Sequence, residues 1–128
     1  MGGITLRRQY LAGVTIVMVS GELDLATADE LEEFVRRVHR AGDEVVMDLA
    51  DTSFMDCTGL NALLHLRQEI SRDGGTLRLV GLQREPIRVL RLSGMDRWLP
   101  THDSLEQALT AATGRRHRGT PGGLIGST

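Results

Sequence analysis

The residues with the clearest chemical potential form one short run, Phe54-Met55-Asp56-Cys57-Thr58-Gly59-Leu60, set between an apolar stretch and a long amphipathic one. A hydroxyl in this run falls at or near the start of a helix. Such an end presents unpaired backbone N–H groups and the positive pole of the helix dipole. Both favour an anionic group such as a phosphate. Thr58 therefore reads as a site of reversible phosphorylation, on a turn against which another protein can dock. The plainer role is helix capping, for which Ser, Thr, Asp and Asn are preferred at a gain of about 1 kcal/mol. Spacing by itself favours the plainer role.

The neighbours of Thr58 allow fewer chemistries. Asp56 either caps the helix or orients the hydroxyl, and the residues alone do not separate these. Cys57 sits where a helix dipole lowers a thiol pKa. A phosphatase-type cysteine loop needs an Arg a few residues on, and none follows before Arg67. A small packed residue is the better reading, and no enzyme is expected. Asp24 lies in an acidic stretch, Glu22-Leu23-Asp24-Leu25, that is either solvated or part of a functional loop. His39, His65, His102 and His117 are far apart and lack metal-ligand spacing. Every basic residue is Arg, so no glycine-rich phosphate loop ends in Lys. No cofactor or metal is implied.

Several elements must position that run. Ile4 to Tyr10 reads as a strand, Leu11 to Gly13 as a turn, and Val14 to Val19 as a β-branched strand. The short connection makes an antiparallel hairpin. Ser20 to Leu25 reads as a loop. Thr27 and Glu30 have the spacing of a capping box. Leu31, Phe34, Val35, Val38 and Ala41 then form a helical stripe that Gly42 stops. Val45 to Leu49 suits an interior strand, and Asp51 to Phe54 leads into the turn. From Leu60 a second helix shows Leu60, Leu63, Leu64 and Ile70 on one side, with Leu66 beside them, and Gly74-Gly75 ends it. Thr76 to Leu82 reads as a strand, and Pro86 marks the first turn of a third helix closed by Gly94. Arg97 to Pro100 supplies a short last strand. Asp103 or Ser104 caps a fourth helix with Leu105, Ala108, Leu109 and Ala112 on its buried side. The order β-β-α-β-α-β-α-β-α predicts a mostly parallel sheet with helices packed on it. In such sheets the useful surface lies beyond the carboxyl ends of the strands. The Ser20–Asp24 loop and the Asp56–Gly59 turn both follow strands, so they are expected to share one surface.

Composition sets the limits. A chain of 128 residues, 41% hydrophobic and 25% charged, is one ordinary globular domain. Aromatics are 3%, so the core must be aliphatic. All the acids precede Gly114, whereas residues 114–128 carry Arg115, Arg116 and Arg118 and no acid. The acidic folded part suits no nucleic-acid backbone. Residues 114–128 read as an unstructured basic tail. The single Cys fits a reducing cytoplasm, and neither a signal peptide nor a membrane-spanning run is present in the sequence.

Gly21-Glu22-Leu23-Asp24, Val46-Met47-Asp48-Leu49, the Phe54–Leu60 run and Leu92-Ser93-Gly94-Met95, in that order, resemble a STAS domain. The resemblance is strongest to bacterial anti-sigma factor antagonists and covers Ile4 to Thr113. Asp-x-[Ser/Thr]-Gly-Leu is its most specific piece. It implies an α/β STAS-type fold over residues 1–113, with a mixed four- to five-stranded sheet and about four helices. It also implies partner switching. The unphosphorylated antagonist binds an anti-sigma factor that is itself a serine/threonine kinase, and so frees a sigma factor for transcription. Phosphorylation of the hydroxyl before the Gly, here Thr58, ends binding, and a PP2C-type phosphatase restores it. The docking surface falls on Asp24, Asp56, Cys57, Thr58, Gly59, Leu60 and Asn61. Many members carry Ser at the positions of Cys57 and Thr58; Thr keeps the acceptor hydroxyl and Cys removes a second one. Neither nucleic acid nor membrane is an expected partner, and a weak homodimer is left open. The alternative is a STAS scaffold or ligand-sensing module without sigma-factor control.

Overall fold

The computed structural model describes residues 2–118. Its elements are β1 (Ile4–Leu11), β2 (Val14–Leu23), α1 (Ala28–Val38), β3 (Glu44–Met55), α2 (Cys57–Arg72), β4 (Leu77–Val80), α3 (Arg84–Ser93), β5 (Thr101–His102) and α4 (Leu105–Arg118), with a 3-10 turn at Met95–Arg97. The strands form one five-stranded sheet in the order β1-β2-β3-β4-β5. β1 and β2 are antiparallel, and the remaining neighbours are parallel. This is the mixed α/β sheet with four helices that the element order predicts.

The apolar periodicities explain the layers. Val14, Thr15, Ile16 and Val17 of β2 and Glu44, Val45, Val46 and Met47 of β3 are all buried, as interior strands covered on both faces require. One face packs Val17, Val19, Leu49 and Leu79 against Leu31 and Val35 of α1, Leu63, Leu66 and Ile70 of α2, and Leu90 of α3. The other packs Ile16, Val46 and Val80 against Ala108 and Ala112 of α4, whose small side chains bring that helix close to the sheet. No aromatic belongs to the buried core of the described residues.

The structure moves several boundaries. β2 runs on through Ser20, Gly21, Glu22 and Leu23, which read as a loop from their polarity. They pair with β3 as far as Met55 across register shifts beside Met18 and Gly21. Gly21 has φ of 117°, and a Cβ there would stand 2.1 Å from the Gly3 carbonyl oxygen, so only glycine fits this part of the strand. The capping box of Thr27 and Glu30 does not form, because Thr27 is buried and faces inward. Its hydroxyl donates to Glu22 O at 2.7 Å and accepts from Asp24 N at 3.0 Å. α1 ends at Val38 rather than Gly42, and Ala41 is exposed. There the Tyr10 hydroxyl takes the Val38 carbonyl at 2.6 Å and His39 turns extended toward β3. α2 begins at Cys57, ahead of the Leu60 that its stripe marks. Arg97 to Pro100 is not a strand; the 3-10 turn ends within it at Arg97 and β5 follows it. α4 continues past Gly114 to Arg118, and residues 119–128 of the expected tail lie outside the described residues.

α1 and α2 are joined across their exposed sides by a forked ion pair. Arg36 donates to both carboxylate oxygens of Glu69 at 2.9 Å, and to Glu32 at 2.7 Å. The hydrogen bond from Arg36 holds the Glu69 carboxyl below its ordinary 4.5. A depressed carboxyl stabilises the fold above that value and loses its contribution as pH falls through the lowered one. Both side chains are more than a third exposed, so screening keeps the effect below about 1 kcal/mol. Urea unfolding should therefore find Glu69→Gln less stable than wild type by a few tenths to about 1 kcal/mol at pH 7, with the gap closing as the pH is taken well below the ordinary carboxyl range. A gap that stayed constant with pH would show that the pair does not carry this charge.

Candidate functional site

The turn before α2 is held at three points. Asp56 is the N-cap, in extended conformation, and its Oδ1 accepts from Gly59 N at 3.0 Å. Its carbonyl accepts from Leu60 N at 2.9 Å, and its own N–H donates to the Leu23 carbonyl at 3.3 Å. The third point is steric. A Cβ on Gly59 would stand 2.5 Å from Leu23 O and 2.8 Å from Leu23 Cγ. Glycine is needed here because the first turn of α2 lies directly on the end of β2. Leu60 then enters the core at 5% exposure.

These anchors fix what faces outward. Cys57 and Thr58 are the first two helical residues, with Cys57 exposed and Thr58 half-buried. Neither backbone N–H has a hydrogen-bond acceptor among the described residues, as expected of a helix's first turn. The Thr58 hydroxyl likewise makes no hydrogen bond among the described residues, so it is not a cap. Asn61 is exposed one turn further on. The reading of Cys57 as a packed residue and the docking roles of Gly59 and Leu60 need correction, since Cys57 is exposed, whereas Asp56 takes one of the two roles left open for it. Asp56 spends an oxygen on the cap rather than on the threonine hydroxyl. Leu60, assigned to the docking surface, is a core anchor, and Gly59 is buried beneath its neighbours.

Asp24 lies on the same rim, since it directly follows the Leu23 that Asp56 and Gly59 contact. Its Oδ1 accepts from Ala26 N at 3.0 Å and lies 3.3 Å from the Thr27 hydroxyl. The carboxylate thus shapes the β2–α1 loop. Two apolar residues were missed from sequence. Leu25 is 79% exposed in that loop, and Phe54 is 44% exposed near the end of β3 beside Glu22. Both are large apolar side chains left outside at the ends of strands. Leu25 stands outside the α1 stripe, which was the available signal; Phe54 opens the run that leads into the turn but was not assigned to the docking surface. Among the described residues, no group of three or more His, Cys, Asp or Glu is placed to hold a metal ion.

Two substitutions test this seating by chemical denaturation. Asp56→Ala should cost about 1 kcal/mol through the lost cap. Gly59→Ala should cost about 1–3 kcal/mol through the forced approach to Leu23. Wild-type stability in both would contradict the geometry.

Comparison with known proteins gives one consistent result. The family model described as STAS domain matches residues 6–108. The anti-sigma F factor antagonist of Paenibacillus polymyxa is 31% identical over 111 residues, covering 84% of this chain and 93% of that one. The crystal structure of an anti-sigma factor antagonist from Mycobacterium paratuberculosis superposes with a TM-score of 0.79 at 30% identity, covering 87% of this chain and 95% of that one. SpoIIAA in its unphosphorylated form shares the fold, with a TM-score of 0.70 at 17% identity, covering 86% of this chain and 97% of that one. SpoIIAA of Bacillus in the phosphorylated form superposes with a TM-score of 0.63.

Proposed function

The chain belongs to the STAS domain family, and on that premise we propose that it is an anti-sigma factor antagonist switched at Thr58. In its unmodified form it docks on an anti-sigma factor, which is a serine/threonine kinase, and so releases a sigma factor to activate transcription. The kinase transfers the γ-phosphoryl group of ATP to Thr58 Oγ1, leaving ADP and a released proton. A PP2C-type phosphatase hydrolyses the ester and returns inorganic phosphate.

The observation that supports this reading is the position of one hydroxyl: second residue of α2, half-exposed, without a hydrogen bond among the described residues, beside two unpaired N–H groups. A phosphate adds a charge of about −1.5 to −2 at neutral pH. At the start of a helix the protein itself accommodates that charge. A partner pressed against the rim of Asp24, Leu25, Phe54, Cys57, Thr58 and Asn61 meets it as repulsion and as a charge to desolvate. Phosphorylation therefore acts on docking and leaves the fold in place. The unit that docks is residues 1–113, and the basic end of the chain takes no part.

Intact-mass measurement after incubation with the cognate kinase and ATP should show one phosphate on wild type and none on Thr58→Ala. Modification that persists in the alanine variant would move the site elsewhere. Thr58→Glu should weaken binding to the anti-sigma factor by about tenfold or more, equivalent to at least ~1.4 kcal/mol. Equal affinity would favour a scaffold role. Phe54→Ala should cost at least ~1 kcal/mol of binding, whereas removal of residues 115–128 should cost none.

A further inference from the structure

Far from the Thr58 turn, we infer that the outer edge of β1 is a second docking site, which takes an extended acidic segment of another protein as an added strand. β2 spans ten residues from Val14 to Leu23, about 30 Å at the rise of a strand. Tyr10 pairs with Thr15 near one end of it, and the Thr58 turn rests on Leu23 at the other.

β1 is eight residues long and is an edge strand, bonded to β2 alone. Its alternation is fixed by the bond from Glu22 N to Gly3 O at 3.0 Å. In an antiparallel ladder with this register, Gly3, Thr5, Arg7, Gln9 and Leu11 bond inward to β2. The N–H and C=O groups of Ile4, Leu6, Arg8 and Tyr10 consequently point outward, where a further strand would bond.

Charge selects the occupant. Arg8 and Arg40 both stack on the Tyr10 ring, with guanidinium carbons 4.9 and 3.5 Å from its centroid. Arg37 stands 5.5 Å from the Phe34 ring centroid, on the side of α1 turned away from the Glu32 and Arg36 that face α2. Arg7 projects on the opposite face of β1, where it lines a cleft with Asp48 and Asp51. No carboxylate of the described residues lies within 4.0 Å of any of these four guanidiniums, and Glu33, one turn before Arg37, is no exception. An added strand alternates its side chains between both faces, so acidic residues at neighbouring positions meet guanidiniums on each face. A flat membrane meets only one of those faces. The Tyr10 ring is already covered, which leaves no stacking platform for a base. A second copy of the chain is disfavoured, because a two-fold pairing centred on β1 sets Arg7 or Arg8 against itself.

The probe is an acetylated, amidated eight-residue peptide, Thr-Glu-Glu-Thr-Thr-Glu-Glu-Thr, whose paired Glu residues place carboxylates on both faces of an added strand. Hydrogen exchange of the protein should show new protection at the amides of Leu6, Arg8 and Tyr10 on saturation. Affinity should fall about tenfold or more for an Arg8→Glu, Arg40→Glu double variant of unchanged circular dichroism, and as much for a peptide N-methylated at alternate amides. Thr58→Glu should leave affinity unchanged, which separates this site from the phosphorylated turn. Equal binding of the N-methylated peptide would reduce the site to a charged patch and overturn the proposal. So would absence of binding, tighter binding to RNA or anionic vesicles of matched charge, protection of the same amides by self-association without peptide, or loss of binding in Thr58→Glu.

Discussion

The fold depends at one point on how closely a helix can approach a strand. α2 starts against the last residue of β2, with Gly59 and the Leu23 carbonyl too near for any side chain between them. Asp56 locks that approach by bonding forward to Gly59 N and backward to Leu23 O. Everything else at this end follows. With Gly59 and Leu60 turned inward, Cys57, Thr58 and Asn61 must turn outward. The β2–α1 loop, which begins at Asp24, is brought onto the same rim.

That arrangement divides two tasks between neighbouring residues. Asp56, Gly59 and Leu60 carry the stability of the turn and are not free to change. The Thr58 hydroxyl carries none of it, since it makes no hydrogen bond among the described residues, so a group added to its oxygen does not compete with the fold. The unpaired N–H groups of the first helical turn are suited to a negative charge. A partner surface that covers Phe54 and Leu25 is not. The proposed switch rests on this asymmetry: the same phosphate is tolerated on one side of the interface and excluded from the other.

Much of the architecture is legible in the sequence, because periodicity reports burial. The stripes Leu31, Val35, Val38 and Leu63, Leu66, Ile70 lie in the core as spaced, and the alternation of strands and helices matches the element order. What periodicity does not report is pairing at a distance. Ser20 to Leu23 look like a loop because they are polar, yet they pair with β3 across bulges that no local pattern encodes. Thr27 has the spacing of a cap, but burial turns its hydroxyl inward to Glu22 and Asp24. Leu60 belongs both to the apolar stripe of the second helix and to the motif that resembles a docking turn, and the packing decides for the core. Phe54 and the Arg8–Tyr10–Arg40 stack became distinct only once chain segments far apart in sequence had been brought together.

The central claim is that modification of one outward hydroxyl controls docking without disturbing the domain. Calorimetric titration of the anti-sigma factor with the same preparation, before and after enzymatic phosphorylation of Thr58, tests it most directly. The account expects the phosphorylated chain to keep its melting temperature and to bind at least about a hundredfold more weakly, roughly 2.8 kcal/mol. Undiminished affinity, or a loss that merely tracks unfolding, would contradict it.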